Sequence, residues 1–327
     1  MQTVRLYLNV PSSQASRAIG DPGEATGEGK DWDRLAVMIE AADGYDGYIV
    51  PGSRYYVEIL SKEDFNRLDE ESGSRWLPID LIESSRIHIY GVTYSSDASE
   101  NPENAINSIE NNNSGSFANL EISNSYSATD AAGQNIDVAK FLSVATGYYK
   151  DNNGDLGTFT VEQPKSGISD RKNMPTMTLT RLAAKIDIQW DAEDAYPNYT
   201  NVRVTDFKFY NNKEYARDVT ENNQGCLFPS LHEVNDADGH KTFYNTTEIS
   251  QHNGRVYHYA FPNGRNPELR FNVTADGDKS ILCEYEFTQK LQKATWYKLN
   301  VTIKGLSHDV NEEITFEGPQ ENSDTGI

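Results

Sequence analysis

The chain has only two cysteines in 327 residues, Cys226 and Cys283. Two are too few for a disulfide framework; they leave either one pair across adjacent strands or two buried thiols. Long apolar runs are missing too, and nothing approaches the roughly 18 residues that cross a bilayer as a helix. Positive charge is scarce: 29 Lys and Arg stand against 50 Asp and Glu, for a formal net charge of −21. A surface that acidic repels phosphate backbones, which excludes nucleic acid as a partner. No signal peptide precedes the first patterned segment. Met1 runs at once into alternating residues, so the sequence reads as a trimmed form. There is no βαβ rhythm and no short-period repeat. What is abundant is Tyr, with 19 copies, together with Asn and Ser. That composition fits an extracellular β-protein.

Motifs that carry chemistry are equally sparse. Gly23…Gly29-Lys30 imitates a phosphate loop, but five residues separate the glycines and Asp31 stands where Ser or Thr must hold magnesium. Neither a Gly-x-Ser-x-Gly elbow nor a Gly-x-Gly-x-x-Gly turn occurs. The histidines (His88, His232, His240, His252, His258 and His308) form no His-Glu-x-x-His pair; His252 and His258 could meet across a turn, but surface or strand-face positions suit them better. Asp151, Asn153, Asp155 and Glu162 fall at positions 1, 3, 5 and 12 of a calcium loop. The glycine that such a loop needs at its sixth position is Leu156, and no helices flank it, so a solvated hairpin turn is the better reading. No metal and no cofactor are expected. The sequons at Asn112, Asn198, Asn245, Asn272 and Asn300 read as chance in a chain rich in Asn and Thr. The aromatic pairs Tyr55-Tyr56, Tyr148-Tyr149 and Trp296-Tyr297 sit in strand patterns, where core packing is the plain account and a sugar-stacking platform the alternative. No nucleophile or carboxylate pair stands out, so an enzyme is not expected. A glycosidase ranks third among the possible functions.

Strand patterns fill most of the chain. Val4, Leu6, Leu8 and Val10 face one way and Thr3, Arg5, Tyr7 and Asn9 the other, which is a strand with one buried face. Residues 11–31 are rich in Ser, Gly, Glu and Pro and read as a flexible loop. Strand signals resume at Leu35–Ile39, Arg54–Leu60 and Arg86–Tyr94. Asn101-Pro102 opens a short helix through Ile109. Asn111–Ser116 reads as loop, and Asp151–Gly157 as the turn of a hairpin between Phe141–Tyr149 and Thr158–Val161. A polar linker near residues 163–172 separates the halves. After it come strands at Thr178–Trp190, Val202–Tyr210, Thr242–Tyr244, Val256–Phe261, Glu268–Thr274, Ile281–Thr288 and Trp296–Ile303. Short strands and turns at this spacing predict an all-β chain of two tandem β-sandwiches, residues 1–165 and 174–327. Toward the end only Glu313–Phe316 looks strand-like, and Pro319–Ile327 reads as disordered.

An amphipathic first strand on a flexible loop has a physical use. If it fills a sheet position, cutting the loop lets it leave, and four apolar side chains vacate a groove. An unpaired edge beside an empty apolar groove is a template for another chain's strand. Arg17 is the only Arg or Lys between that strand and Lys30.

The stretch Met174–Trp190 alternates, shifts at Leu182–Ala184 and alternates again. It holds Leu179, Arg181, Leu182, Ala184, Lys185 and Ile186, a Leu-x-Arg-Leu-x-Ala-Lys-Ile pattern. This resembles the strand that opens the second domain of Bacteroidetes fimbrillins, the subunits of type V pili. Leu8-x-Val10-Pro11 followed by a polar loop with Arg17-Ala18-x-Gly20 resembles the same family, as does Trp296–Gly305. The resemblance implies transthyretin-like sandwiches and a non-enzymatic structural role in a surface fimbrium that supports adhesion. It implies export as a lipoprotein to the outer membrane. It also implies that an arginine-specific protease cuts at Arg17, that the strand with Val4, Leu6, Leu8 and Val10 is released, and that an extended segment of a neighbouring subunit replaces it. Partners would then be other pilus subunits, the processing protease, and a host-surface receptor or glycan. Shaft subunits of the family carry a well-formed C-terminal donor segment; the polar end of this chain fits either a donor with a short tail or a tip or accessory subunit. The rival reading from another class is a surface glycan-binding lipoprotein.

Overall fold

The structure, a computed structural model, describes residues 1–10, 32–96, 101–123, 143–162, 173–192, 202–210, 224–228, 231, 243–245, 253–260, 262, 266–275, 279–305 and 314–323. Arg17 lies outside them. The elements of the first half are β1 (Gln2–Asn9), β2 (Arg34–Ala41), β3 (Tyr55–Ser61), α1 (Lys62–Arg67), β4 (Glu70–Glu71), β5 (Ser74–Leu81), β6 (Arg86–Tyr94), α2 (Glu103–Asn112), β7 (Glu121–Ser123), β8 (Ala145–Tyr148) and β9 (Phe159–Thr160). Then follow β10 (Thr176–Thr178), β11 (Thr180–Arg181), β12 (Ala184–Asp191), β13 (Arg203–Tyr210), β14 (Gln224–Cys226), β15 (Phe243–Asn245), β16 (Asn253–Ala260), β17 (Glu268–Ala275), β18 (Lys279–Glu286), β19 (Thr295–Ile303) and β20 (Ile314–Ser323). The chain is predominantly β, as expected.

Two sheets face each other in the first half. One has the order β10-β1-β5-β4; the other has the order β11-β8-β6-β2-β3, with β9 also on β6. Val4, Leu6 and Leu8 of β1 and Leu77, Ile79 and Leu81 of β5 share one core with Leu35, Val37 and Ile39 of β2 and Ile87 and Ile89 of β6. The opposite face of β2 and β6, with Ala36, Met38, Tyr90, Val92 and Tyr94, is buried as well, under Ile106 of α2, Phe117, Leu227 and Phe228. A strand buried on both faces need not alternate, which is why β2 reads Arg-Leu-Ala-Val-Met-Ile-Glu-Ala. Glu40 ties the covering segment down: it accepts hydrogen bonds from Tyr90 Oη (2.9 Å), Ser116 Oγ (2.7 Å) and the Phe117 N–H (2.8 Å). A buried carboxylate with three donors is a stable arrangement.

The second half repeats the pattern with sheets β16-β12-β19-β20 and β15-β13-β17-β18. Ile186, Ile188 and Trp190 of β12, Leu269, Phe271 and Val273 of β17, and Tyr297, Leu299, Val301 and Ile303 of β19 make its core.

Four expectations are corrected. First, Met174–Trp190 is not one strand opening the second half. β10 pairs with β1 and β11 pairs with β8, so only β12 joins the later sheets. The break in periodicity at Leu182–Ala184 marks the point where the chain leaves one core for another. Crossing at Leu179 from one sheet to the other brings the chain hard against β8. A Cβ on Gly147 would lie 2.3 Å from the Thr178 carbonyl, so only glycine fits there. Second, β8 and β9 do not form a hairpin. Both pair antiparallel with β6, and Asp151–Gly157 is an excursion closed by the Lys150–Leu156 bridge. Third, the C-terminal strand runs on to Ser323 instead of ending at Phe316. It is an edge strand, and its ladder shifts between the Asn300–Glu317 and Lys298–Gln320 pairs, so Gly318 and Pro319 fall at a bulge. Proline is tolerated at edges and bulges. Fourth, Asn111–Ser116 is not all loop: α2 continues through Asn112, and Asn113 caps it at φ 50° in the left-handed region.

β5 is a strand that the sequence reading missed. Its Pro78 pairs with Arg5, and β4 covers only Ser74 and Arg75 on the other side. The absent N–H therefore faces an unpaired edge. Cys226 and Cys283 are both buried, lie on strands of different sheets and form no disulfide, so the pairing alternative falls away.

Candidate functional site

The site is the seat of β1. Val4, Leu6 and Leu8 are at most 1% exposed, while Val10 is only partly buried against the same core. Of the four apolar residues expected to fill the groove, three fill it fully. Trp32 and Phe65 close the core beside them, their rings edge-to-face at 5.4 Å.

β1 runs antiparallel to β5 from Gln2 opposite Leu81 to Leu8 opposite Arg75. On its other side it has a parallel partner, β10, only at Tyr7, Leu8 and Asn9. The Tyr7 N–H donates to the Pro175 carbonyl at 2.9 Å, and the Leu179 N–H donates to the Asn9 carbonyl at 2.8 Å. Odd-numbered residues therefore turn their backbone groups toward β10. Thr3 and Arg5 turn theirs the same way, beyond the end of β10, so among the described residues the first half of β1 has no partner on that side.

The outer face is polar and specific. Thr3 Oγ1 donates to Asp80 Oδ1 at 2.7 Å, and the Arg5 guanidinium lies 4.8 Å from the centre of the Trp76 ring. Tyr7 Oη donates to Glu71, and that hydrogen bond, with help from burial and the carboxylate's charge, holds the Tyr7 phenol above its ordinary pKa. Asn9 joins three strands: its Nδ2 donates to Thr178 Oγ1 at 3.2 Å, and its Oδ1 accepts from Ser74 Oγ at 2.7 Å. Sequence reasoning did not single out Asn9, because its partners are 65 and 169 residues away. β1 is thus held most firmly at the end nearer Arg17 in sequence.

The other sequence candidates have plainer roles. Asp151 Oδ1 accepts the N–H groups of Asn153 (2.8 Å) and Asp155 (3.0 Å), so its carboxylate folds its own loop. Glu162 lies beyond β9, where its N–H donates to Asn173 Oδ1 at 2.9 Å. Among the described residues no group of three or more His, Cys, Asp and Glu converges. His88 is buried with Nδ1 3.1 Å from the Gly157 carbonyl oxygen. His232, His240, His252 and His308, and the side chain of His258, lie outside the described residues. Tyr55, Tyr148 and Tyr297 are core residues rather than a platform for sugars. Among the described residues no helix is long and apolar enough to cross a membrane.

No protein-family model matches the chain, and no curated protein does. Solved structures do. A fimbrial assembly protein from Parabacteroides distasonis aligns over 97% of this chain and 98% of its own, at 12% identity and TM-score 0.45. The tip fimbrial protein Mfa3 from Porphyromonas gingivalis, with a C-terminal truncation, aligns over 98% of this chain and 100% of its own, at 10% identity and TM-score 0.42. A fimbrial protein from Bacteroides vulgatus aligns over 98% and 100%, at 13% identity and TM-score 0.42.

Proposed function

We propose that this chain is a non-enzymatic structural subunit of a cell-surface pilus, assembled by proteolytic release of β1 and donor-strand exchange. It is built as two tandem transthyretin-like β-sandwiches that meet at Leu182 and Ala183. The observation that carries the reading is the seat of β1: an eight-residue strand with Val4, Leu6 and Leu8 at most 1% exposed, leading directly into the segment with Arg17. At about 1.5–3 kcal/mol for each fully buried aliphatic side chain, removing β1 uncovers roughly 5–9 kcal/mol of burial. A strand of matching pattern from a neighbouring subunit regains that burial, which gives a driving force for assembly without any bound nucleotide. The uncut chain satisfies its own groove and stays monomeric. The resemblance of Leu8–Gly20, Leu179–Ile186 and Trp296–Gly305 to fimbrillin segments supports the same reading and a location at the outer membrane. There its partners are other subunits, an arginine-specific protease, and a host receptor or glycan.

The test is limited digestion with an arginine-specific protease, followed by intact-mass analysis and electron microscopy. Cleavage at Arg17 should precede cleavage at Arg34, Arg54 or Arg171. Filaments or higher oligomers should form only from cut protein. Cut protein that has lost residues 1–17 and yet remains monomeric would sink the reading.

A further inference from the structure

The chain carries 21 excess negative charges, yet two of its lysines meet at one tyrosine where carboxylates would be expected instead. Lys150 follows β8 and Lys293 lies in the turn before β19; each Nζ is 5.6 Å from the centre of the Tyr148 ring. Apart from the ring, the Lys293 ammonium has the Thr146 carbonyl oxygen at 3.5 Å, a long and weak contact. The buried hydroxyl of Thr146, on the same face of β8 as Tyr148, has no hydrogen-bond partner. Burial, and then repulsion from Lys150, pull the Lys293 pKa down to about 8. Both influences disfavour the charged amine, and among the described residues no carboxylate offsets them.

Ala294 sits at φ 52°, in the left-handed region, and its N–H donates to the Ala183 carbonyl at 3.2 Å. Such strain persists where the surroundings over-determine it, and it gathers at ligand sites.

We infer that Lys150, Lys293 and the Thr146 hydroxyl form an anion site at the seam between the two halves, and that it takes a carboxylate. Two ammonium groups can only donate and the hydroxyl can donate with them, which suits two negatively charged oxygens. The carboxylate can come from a small molecule in the medium or from an acidic side chain of a second copy. This inference stands apart from the release of β1.

The experiment labels the full chain with limiting succinimidyl ester near neutral pH and quantifies each lysine by peptide mass spectrometry. Sodium acetate replaces sodium chloride at constant ionic strength. Acetate at about ten times its Kd should slow labelling of Lys293 about tenfold, by mass action, and leave exposed Lys304 unchanged. Protection that instead rises with protein concentration in chloride alone assigns the carboxylate to a second copy. Lys150→Gln and Thr146→Val should each weaken whichever protection is seen. Equal labelling of Lys293 in all these conditions, or protection untouched by both substitutions, overturns the inference.

Discussion

The first and last strands occupy opposite positions in their sheets. β1 lies between β5 and β10, and its inward side chains are almost completely buried. Among the described residues β20 ends its sheet with β19 as its one neighbour, and its ladder is interrupted at Gly318 and Pro319. Removing an edge strand breaks one ladder. Removing β1 breaks one ladder along its whole length and a second along Tyr7–Asn9, and it opens the core. The difference separates a strand that seals a groove from one whose outer edge stays available. In the proposed assembly the two correspond to what a subunit must lose and what it has free to offer.

The sharpest test of this contrast is to empty the seat without removing the strand. Leu6→Ala and Leu8→Ala each delete a side chain from the shared core. At about 2–5 kcal/mol for a buried Leu→Ala change, the uncut double variant should lose roughly 4–10 kcal/mol of unfolding free energy, read from urea denaturation. Val10→Ala, at the partly buried position, should lose far less. A double variant as stable as wild type would mean that β1 contributes no core, and the contrast with β20 would collapse.

The seat was legible in the sequence to the extent that it depends on one strand's own alternation. Val4, Leu6 and Leu8 declare a buried face by themselves. What faces them was less legible. β5 hides behind Pro78, which a strand tolerates here because the side that lacks an N–H faces an edge left unpaired among the described residues. β10 hides because Met174–Trp190 alternates almost continuously across a change of sheet, and local periodicity does not record which partner a strand takes. Asn9 could not be found at all, since a polar residue acquires its meaning from Ser74 and Thr178, which only the fold brings near. At the other end, Pro319 and the polar residues after it hid the last part of β20. The same residues are compatible with a bulged edge strand and with no structure, and the ladder on β19 decides between them.

A smaller effect should come from Asn9. It grips both neighbouring strands at the end of β1 nearest Arg17, whereas Thr3 has an open edge on one side. Two side-chain hydrogen bonds at about 0.5–1.5 kcal/mol each give Asn9→Ala a loss near 1.4 kcal/mol, or about tenfold. After cleavage at Arg17, residues 1–17 should therefore leave the variant about tenfold faster than wild type, by size-exclusion or mass analysis of the released peptide. Thr3→Ala, which removes one exposed contact to Asp80, should change the rate less. If Thr3→Ala speeds release more than Asn9→Ala, the strand leaves from its other end and β10 is not what retains it.

The smallest effect should come from the C-terminal edge. Deleting residues 318–327 removes the bulge and the last part of β20, a stretch whose sequence to Ser323 is Gly-Pro-Gln-Glu-Asn-Ser. Between Gly318 and Ser323 no large apolar side chain is lost, and the pairs removed, from Lys298–Gln320 to Thr295–Ser323, belong to a single ladder. The hydrogen bonds of such an edge exchange with water at little net change, so unfolding free energy should fall by about 1 kcal/mol or less. Pairs nearer the strand's start, from Asn300–Glu317 to Ile303–Ile314, remain to hold Ile314 and Phe316 in place. Thermal unfolding of the truncated chain checks this directly. A loss approaching that of the Leu6/Leu8 double variant would show that β20 supports the second core as β1 supports the first. A segment so embedded could not reach out to another subunit without unfolding its own, and any donor strand would have to come from elsewhere in the chain.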